Sequence, residues 1–367
     1  MRHDRLDRAV PIMALFLCAW ATQALADNWA DRTKINGFLS ARYSVTDQSL
    51  FFQESRTASG INSDGSFYGT KLGINVRSRV SDRILVASQL HSKIQHEDYN
   101  THVDWAFVRF NLSDQFAVRA GKIKYPVGLV NEYVDVGVSY PWIQAPLVIY
   151  STSPSGPQAT REAYTGADVL WTKYIGDWTV GADLYGGQVD LTGMTIKKMR
   201  GITARANWNE QIVMQASTYT GDMMAADPTT PMGMMMNKKS HSATEVGAKV
   251  DWNNVIAYAE WAKVKMDVKM MGVSTNNSTS WYTTLGYRFA HRIVPHITYQ
   301  DWKQGDGDGH KISTIGINYI VSPEAVLKLE YSNIKTDKAG LFVNDTGTPT
   351  APSGDTKMTS IAVDVVF

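Results

Sequence analysis

TSIAVDVVF, residues 359–367, alternates between the two sides of an extended chain. The residues on one side are Ile361, Val363, Val365 and Phe367. The residues on the other side are Ser360, Ala362 and Asp364. A period of two with one apolar side predicts a β-strand. Because chain ends usually fray and carry polar residues, an apolar strand that stops on an aromatic residue is expected to be held by a neighbour.

The same alternation recurs along the whole chain, in segments such as KLGINVRSR (71–79), WTVGADLYG (178–186), EVGAKVDW (245–252) and AVLKLEYS (325–332). In each segment one side is apolar and the other is Gly, Thr, Asn or charged. Helical periodicity is nearly absent. Strands of a soluble sandwich alternate in the same way, so the alternation alone leaves a soluble β-protein possible.

The connections between the segments favour a membrane barrel over a sandwich. Short polar turns join the strands in pairs, as at VSDR (80–83) and NN (253–254). The other connections are mostly longer, at 45–65, 125–162, 222–240, 266–277 and 335–355. Short turns at one end and long loops at the other are typical of outer-membrane barrels. The sequence therefore predicts an all-β fold, an antiparallel transmembrane barrel of sixteen strands with short periplasmic turns, long extracellular loops and both chain ends on the periplasmic side.

Segment length and aromatic placement agree with this prediction. Each segment has the about 9–13 residues that a tilted strand needs to cross a bilayer core. Aromatic residues lie near the short turns (Phe116, Trp178, Trp208, Trp252, Phe289, Tyr319) and near the long loops (Trp261, Trp281, Trp302). We expect them to form interfacial girdles, although aromatics are also common in strands generally. A sheet in lipid must close without an edge, so the last strand is expected to pair with residues 33–44 and to leave Phe367 facing lipid.

The N-terminus has the pattern of an export signal. Three arginines precede an apolar run at 9–21, and ALA at 24–26 provides a cleavage site, so residues 1–26 are predicted to be a cleaved signal peptide. The single cysteine, Cys18, lies inside this segment. The remaining chain, 27–367, shows no linker or composition shift and is predicted to be one barrel domain without disulfides.

The charge of the chain argues against a nucleic-acid partner. The whole chain carries a formal net charge of +1. Residues 1–26 contain three arginines and two acidic residues, so the remainder has 33 basic and 33 acidic side chains. Nucleic-acid binders carry a net basic face, which this balance does not favour.

Taken together, the signal segment, the sixteen alternating segments, the long third loop and the terminal aromatic strand resemble the general porins of Gram-negative bacteria. The resemblance covers nearly the whole chain after residue 26. It implies a passive channel in the outer membrane that contacts lipid and lipopolysaccharide, has no cofactor, and forms a homotrimer. It further implies that the outer-membrane assembly machinery reads the terminal strand at Phe367, and that residues 125–162 fold inward as a constriction loop.

A sixteen-stranded barrel is wide enough for a water-filled channel whose inward side chains set its selectivity. The predicted constriction loop carries Glu132 and Asp135, and its apolar residues are expected to pack where Gly121 leaves room. The expected basic side of the constriction is formed by Arg42, Arg77, Arg79, Arg109 and Arg119. Further pore-lining cations are expected at Lys71, Lys93, Arg205, Lys249 and Arg288. No inward acid is evident on the first five strands, so we expect a transverse field across the constriction and a weak preference for anions. Solvated charges without a common focus are the alternative.

Two further features of the inner wall remain open from the sequence. In VDWAFVRFN (103–111), the register that places Arg109 inside also places Val103, Trp105 and Phe107 there. Either a β-bulge shifts the register or these side chains lie beneath the inward loop. His91 and His296 are expected to face inward and line the pore.

Metal binding and catalysis are weakly supported. The methionines in DMMAADPTTPMGMMMNKK (222–239) and at 266–271 could bind Cu(I), but flexible loops explain them better. GDGDGH (305–310) lacks the full calcium-loop pattern. No metal site is predicted. A barrel hydrolase is a distant alternative, without a G-x-S-x-G motif or a clear catalytic set. A channel specific for phosphate or a small organic anion is the nearer one.

Overall fold

The structure is a computed structural model, and it describes residues 29–52, 60–95, 98–151, 163–191, 194–266, 269–270, 273–274, 277–305, 307, 309–337 and 341–367. The predicted signal peptide, 1–26, lies outside the described residues. So do residues 152–162 of the constriction loop, Met271 of the methionine-rich loops, and two aspartates of GDGDGH.

Sixteen described strands form a closed antiparallel barrel, as the sequence predicts. They are β1 (Thr33–Thr46), β2 (Lys71–Arg79), β3 (Ile84–Gln95), β4 (Asp98–Asn111), β5 (Phe116–Lys124), β6 (Ala163–Ile175), β7 (Trp178–Leu191), β8 (Met194–Trp208), β9 (Ile212–Ala225), β10 (Lys239–Trp252), β11 (Val255–Met266), β12 (Ser278–Tyr287), β13 (Ile293–Gln304), β14 (Gly309–Ser322), β15 (Ala325–Thr336) and β16 (Thr356–Val366). Every strand pairs with its sequence neighbours, and β16 pairs with β1 to close the sheet.

The closing strand is held up to its last residue. Phe38 of β1 is opposite Val366 of β16. Beyond that pair, Gly37 N donates to Phe367 O at 2.7 Å and Phe367 N donates to Gly37 O at 2.9 Å. The Phe367 side chain is 68% exposed on the outer face. The apolar terminal strand therefore has the neighbour that its sequence required.

Seven short turns lie at one end of the barrel, which we call the short-turn end. Residues with positive φ, such as Asn253 and Asn254, make the tightest of these turns possible. The opposite, long-loop end carries the long connections, but the links at 96–97, 192–193 and 305–308 are as short as turns. The division between long and short connections is therefore less complete than the sequence indicated.

Outside the barrel, the described residues contain little regular structure. The described helices are α1 (Trp29–Arg32), α2 (Leu147–Tyr150) and α3 (Pro231–Met236), with two short 3-10 turns at Asn131–Tyr133 and Gly137–Ser139. Two-stranded ribbons pair Phe51–Phe52 with Phe342–Val343, and Lys269–Met270 with Val273–Ser274. In the part of the chain that is described, no helix is both long and apolar enough to cross a membrane.

Apolar side chains cover the outside of the barrel. Aromatic residues near both ends, among them Phe116, Trp252, Trp261 and Trp281, are exposed there. Trp302 is an exception and corrects the expected girdle, because its side chain is 1% exposed and lies inside the barrel. It has the same strand parity as His296, so the alternation of β13 turns both residues inward.

The irregular strand 103–111 contains a β-bulge. Gln89 is opposite Trp105, but the next residue, Leu90, is opposite Val103, so Asp104 is the additional residue. The bulge returns Val103 to the outer face and buries Asp104 inside, while Trp105 and Phe107 remain inward. The register shift and the inward aromatics therefore both occur.

Candidate functional site: the barrel lumen

The connection between β5 and β6, residues 125–162, is the third loop at the long-loop end, and its described part, 125–151, folds into the barrel. Thr203 Oγ1 on β8 donates to Pro126 O at 2.7 Å. On the far side of the barrel, Asn318 Nδ2 on β14 donates to Pro141 O at 2.8 Å. The third loop therefore contacts widely separated strands, in agreement with the predicted inward fold.

Trp142 is the largest anchor of the third loop. Its indole Nε1 donates to Thr284 Oγ1 at 2.9 Å and to Thr298 Oγ1 at 3.0 Å. Its ring centroid lies 4.7 Å from that of Tyr258 and 5.6 Å from that of Tyr282, in edge-to-face geometry. The indole is therefore fixed by both packing and hydrogen bonds.

Lys328 on β15 binds the backbone of the same part of the loop, residues 137–142. Its Nζ donates to the carbonyl oxygens of Gly137 (2.7 Å), Tyr140 (2.9 Å) and Trp142 (2.7 Å). It also forms a 2.9 Å ion pair with Asp364 on β16. The lysine is 2% exposed, so one buried cation has all its hydrogen atoms directed at the third loop and one carboxylate.

A pair of buried carboxyl groups holds the first half of the third loop. Glu260 Oε2 on β11 accepts from Leu129 N at 3.1 Å, and Glu245 Oε2 on β10 accepts from Gly128 N at 3.4 Å. Tyr150 and Tyr282 each donate a short hydrogen bond from the phenol oxygen to Glu260 Oε1. These wall acids therefore act on the loop backbone rather than on an open channel.

Two hydrophobic clusters connect the third loop and the long-loop end to the inner wall of the barrel. The larger one joins Tyr125, Val127, Leu129, Val130, Trp142, Val148 and Ile149 of the third loop to inward residues of β6–β13. The smaller one, which we call the cap, consists of Phe52, Ile61, Tyr68, Leu147, Ile312, Ile334, Leu341 and Phe342. Inward side chains near this end, such as Tyr164, His241 and His310, are consequently buried. His91 and His296 do face inward, but both are buried rather than lining an open pore.

The loop acid Asp135 lies in a cluster of cations on the other wall. Its carboxyl is 2.9 Å from Lys124 Nζ, 3.5 Å from Lys71 Nζ and 3.6 Å from His91 Nε2. Burial alone would raise the pKa of Asp135, but the charges of Lys124, Lys71 and His91 hold the pKa well below its usual value. Lys71 Nζ also donates to Val134 O at 3.0 Å. The carboxylate therefore fixes the tip of the third loop.

The second loop acid, Glu132, touches the wall directly. Its Oε2 is 2.9 Å from Arg205 Nη1 on β8, and the same nitrogen is 3.6 Å from Asp183 Oδ2 on β7. Among the described residues, neither Glu132 nor Asp135 lies within 4 Å of the guanidinium groups of Arg77, Arg79 or Arg109. The loop acids thus pair with Lys71, Lys124 and Arg205 rather than with these three arginines, and of these cations the sequence predicted Lys71 and Arg205.

The arginines of β2–β5 lie along an uncovered part of the wall. Strand register places Arg79, Arg109 and Arg119 in one row across these strands, and Arg77 one step nearer the long-loop end. Arg77 and Arg79 are exposed, and Arg109 and Arg119 are partly so. Arg119 forms a bidentate pair with Asp168 on β6, with Nη2 to Oδ2 at 2.7 Å and Nε to Oδ1 at 3.1 Å. Arg77, Arg79 and Arg109 have no carboxylate within 4 Å among the described residues.

Aromatic rings support two of these guanidinium groups. Arg77 Cζ is 6.0 Å from the Trp105 ring centroid, and Arg119 Cζ is 5.5 Å from that of Phe107. At such distances the ring faces attract the cations. The inward aromatic rings of β4, Trp105 and Phe107, therefore lie next to the guanidinium groups of Arg77 and Arg119.

The other predicted site residues lie in different surroundings. Arg42 is buried, and donates from Nε to Tyr68 O at 3.0 Å and from Nη1 to Gln144 Oε1 at 3.2 Å. Lys93 Nζ lies 5.9 Å from the Tyr68 ring centroid. Near the short-turn end, Lys249 Nζ lies 5.7 Å from the Tyr258 ring centroid, and Arg288 pairs with Asp251 at 3.0 Å. The predicted cations are therefore divided among several sites, and Arg42 does not reach the uncovered wall.

Sequence reasoning missed two acids and a lysine inside the barrel. Asp104 pairs with Lys124 at 2.9 Å, and Asp168 pairs with Arg119. The expectation of no inward acid on β1–β5 was therefore wrong, because the bulge turns Asp104 inward. The conflicting alternation at 103–111 was the signal that could have revealed it. Gly121 does not make room for the loop either, since a Cβ there would lie 2.3 Å from Ala106 O on the adjacent strand.

Solved structures share this fold. OmpF of Salmonella typhi in complex with daunomycin has a TM-score of 0.61 at 14% identity, with 91% of this chain and 97% of that chain covered. An anion-selective porin from Comamonas acidovorans has a TM-score of 0.58 at 10% identity over 91% and 99% of the two chains. In-vitro folded OmpT of Vibrio cholerae, in its trimer form, has a TM-score of 0.57 at 11% identity over 92% and 100%. No protein-family model and no curated protein matches the chain. The chain therefore has the sixteen-stranded fold of the general porins.

Proposed function

We propose that the chain is an outer-membrane porin, a non-enzymatic channel for ions and small hydrophilic solutes that admits anions more readily than cations. Residues 1–26 would direct export, the short turns would face the periplasm, and the long loops would face outward with lipopolysaccharide around them. The terminal strand with Phe367 would serve as the signal for the assembly machinery. A closed barrel with an apolar outside and charged inside supports this assignment.

The observation that supports the anion preference is the group of three arginines on β2 and β4 that lack a carboxylate partner. Arg77, Arg79 and Arg109 lie on the uncovered wall without a carboxylate within 4 Å among the described residues. The two acids that act on Arg109, Asp168 and Asp183, lie against Arg119 and Arg205. A lumen lined by one sign of charge concentrates the opposite ion. The third loop and the two hydrophobic clusters narrow the lumen, so we expect a small conductance.

Single-channel recording in planar bilayers tests the channel and its selectivity together. We expect small conductance steps, grouped in threes if the chain forms the proposed homotrimer, and a reversal potential of anion-preferring sign in a potassium chloride gradient. A membrane that stays ion-tight with correctly folded protein would contradict the channel. A reversal potential that shows cation preference would contradict the proposed role of Arg77, Arg79 and Arg109 in attracting anions.

A solute-specific channel for phosphate or a small organic anion is the second candidate, and the clustering of unpaired arginines favours it. Phosphate or an organic anion that blocks chloride current at low concentration would support specificity over general diffusion. The distant hydrolase alternative requires ester or peptide cleavage by the purified, folded chain, and we expect none.

A further inference from the structure

We infer that part of the cap is a lid that opens and closes over the inner wall of β13–β16. The lid consists of Phe52 and Ile61, from the loop between β1 and β2, and of Leu341 and Phe342, from the loop between β15 and β16. These four side chains pack on the wall residues of the cap, which belong to β14 and β15. The lid therefore covers inward side chains at the long-loop end of the lumen.

The wall that the lid covers carries two rows of inward side chains with polar groups. Strand register places Trp302, His310 and Thr336 directly opposite one another on β13, β14 and β15. In the next row, Gln300 and Thr356 lie at the two ends, and the two wall isoleucines of the cap lie between them. Polar groups thus surround the apolar surface on which the lid packs.

Six polar atoms of these five side chains are buried without a hydrogen-bond partner among the described residues. They are Nε1 of Trp302, both ring nitrogens of His310, Oγ1 of Thr336, Oγ1 of Thr356 and Oε1 of Gln300. Buried polar groups in native proteins are nearly always paired. An unpaired group disfavours the closed lid because it has lost water without gaining a partner. Apolar contact therefore favours the closed lid, whereas access of water to the wall favours the open one.

The third loop shows how a fixed segment is held on the same barrel. Its backbone is bonded to wall side chains such as Lys328 and Glu260. The lid forms its hydrogen bonds elsewhere: Phe52 and Ile61 bond to each other at 2.8 and 2.9 Å, and Phe342 pairs with Phe52. In the described part of the chain, no hydrogen bond joins the four lid residues to β13–β16. A segment without such bonds opens at lower free energy than one that has them.

Single cysteines test the lid in the full, folded chain in detergent, with a charged thiosulfonate as the reagent. Thr356→Cys places a thiol under the lid, at a residue that is 0% exposed. Thr203→Cys is the matched reporter under the third loop, where the threonine is equally buried but donates to Pro126 O. We expect Thr356→Cys to react about tenfold faster, because the lid opens without unfolding of the barrel. The natural chain, whose one cysteine is Cys18, measures the background.

Two results of this comparison would overturn the inference. Equal reaction rates of the two reporters would mean that the reagent enters only when the barrel unfolds. A Thr356→Cys thiol that does not react in the folded chain would mean that the lid stays closed.

Removal of one unpaired hydroxyl group tests why the lid opens. Thr336→Val keeps the shape of the side chain, so we expect it to hold the lid closed and to slow the reaction of Thr356→Cys about tenfold. Thr314→Val is the matched control, because Thr314 also faces inward on β14 but its hydroxyl is paired with Ser332 at 2.8 Å. The control should leave the reaction rate unchanged. An unchanged rate in Thr336→Val, or equal slowing in both variants, would contradict the role of the unpaired groups.

The lid rests on the proposed function only in that its movement would vary the width of the channel. Thiol labelling requires no ion flow, so an ion-tight barrel with the expected labelling rates would refute the channel and leave the lid standing. A conducting barrel whose Thr356→Cys thiol stays unreactive would refute the lid alone.

Discussion

Two regions of the inner wall carry similar polar residues but differ in what covers them. On β2–β5, Arg77, Arg79 and Arg109 face open lumen. On β10–β16, Glu245, Glu260 and Lys328 are equally inward and polar, yet the third loop covers them and uses them as hydrogen-bond partners. Facing the lumen therefore does not by itself make a residue pore-lining.

The difference has a physical origin in the third loop. Its apolar side chains require a dry surface, and the aromatic and aliphatic inward residues of β6–β13 provide one. Burying backbone groups against that wall requires partners, which the wall acids and Lys328 supply. The wall of β2–β5 carries charged side chains, and the loop forms polar contacts with it through the Asp135 carboxylate and the Val134 carbonyl.

The largest expected effect on stability comes from replacing Lys328, which binds the third loop on the covered side of the wall. Lys328→Met leaves Asp364 as an unpaired buried charge and removes the ammonium donor from three loop carbonyls. We expect the free energy of unfolding in detergent to fall by about 3–5 kcal/mol, measured by thermal or denaturant unfolding. The double variant Lys328→Met/Asp364→Leu should recover part of this loss because no buried charge remains. Lys311→Met, on the exposed outer face of β14, is the control, and an equal loss in that control would refute the role of the buried pair.

The next effect concerns Asp135, where the loop meets the opposite wall. Its pKa is lowered in the folded chain, so its contribution to stability is present above its unfolded pKa of about 3.9 and disappears as the pH falls through the lower folded value. We expect Asp135→Asn to be about 2 kcal/mol less stable than the natural chain at neutral pH. The gap should narrow below about pH 4. Denaturant unfolding at several pH values measures it, and a gap that widens in acid would contradict the assignment.

The barrel and its closure follow from local sequence properties, which explains why they could be predicted. Alternation sets each strand, and a sheet that leaves no edge unpaired requires β16 to pair with β1. Most inward residues follow from the same parity, including Arg109, Lys249 and Arg288. The parity of Trp302 with His296 predicts an inward side chain, whereas its position near a long loop had indicated the outer girdle.

The candidate site was harder to predict because it depends on contacts between distant residues. Lys328 and Trp142 are 186 residues apart, and nothing near either residue shows that they touch. Likewise, Asp104 becomes an inward acid only through a bulge that one residue creates. Alternation shows which side chains of a strand face the lumen. The path of the third loop decides which of those inward side chains stay exposed to the lumen.

A smaller effect is expected from Trp142→Phe, which separates ring packing from hydrogen bonding on the covered side. Phenylalanine keeps much of the ring contact with Tyr258 and Tyr282 and removes the indole N–H. Thr284 and Thr298 already lie 2.9 Å apart and can bond to each other, so neither is left unpaired. We expect a loss of about 1 kcal/mol in unfolding free energy. A loss as large as that of Lys328→Met would show that the indole N–H, rather than the ring, fixes the loop.

The smallest change in free energy is expected on the open side. In Arg77→Gln/Arg79→Gln/Arg109→Gln, no buried partner loses its charge, and removing three like charges relieves their repulsion, so unfolding should change little. Ion selectivity should nevertheless shift toward cations by a few-fold, because the remaining Arg119 and Arg205 are neutralised by Asp168 and Glu132. Reversal potentials in a salt gradient measure the shift, with Lys311→Gln on the outer face as control. Unchanged selectivity would mean that permeating ions do not pass this wall, and the open side would then be a vestibule outside the conduction path.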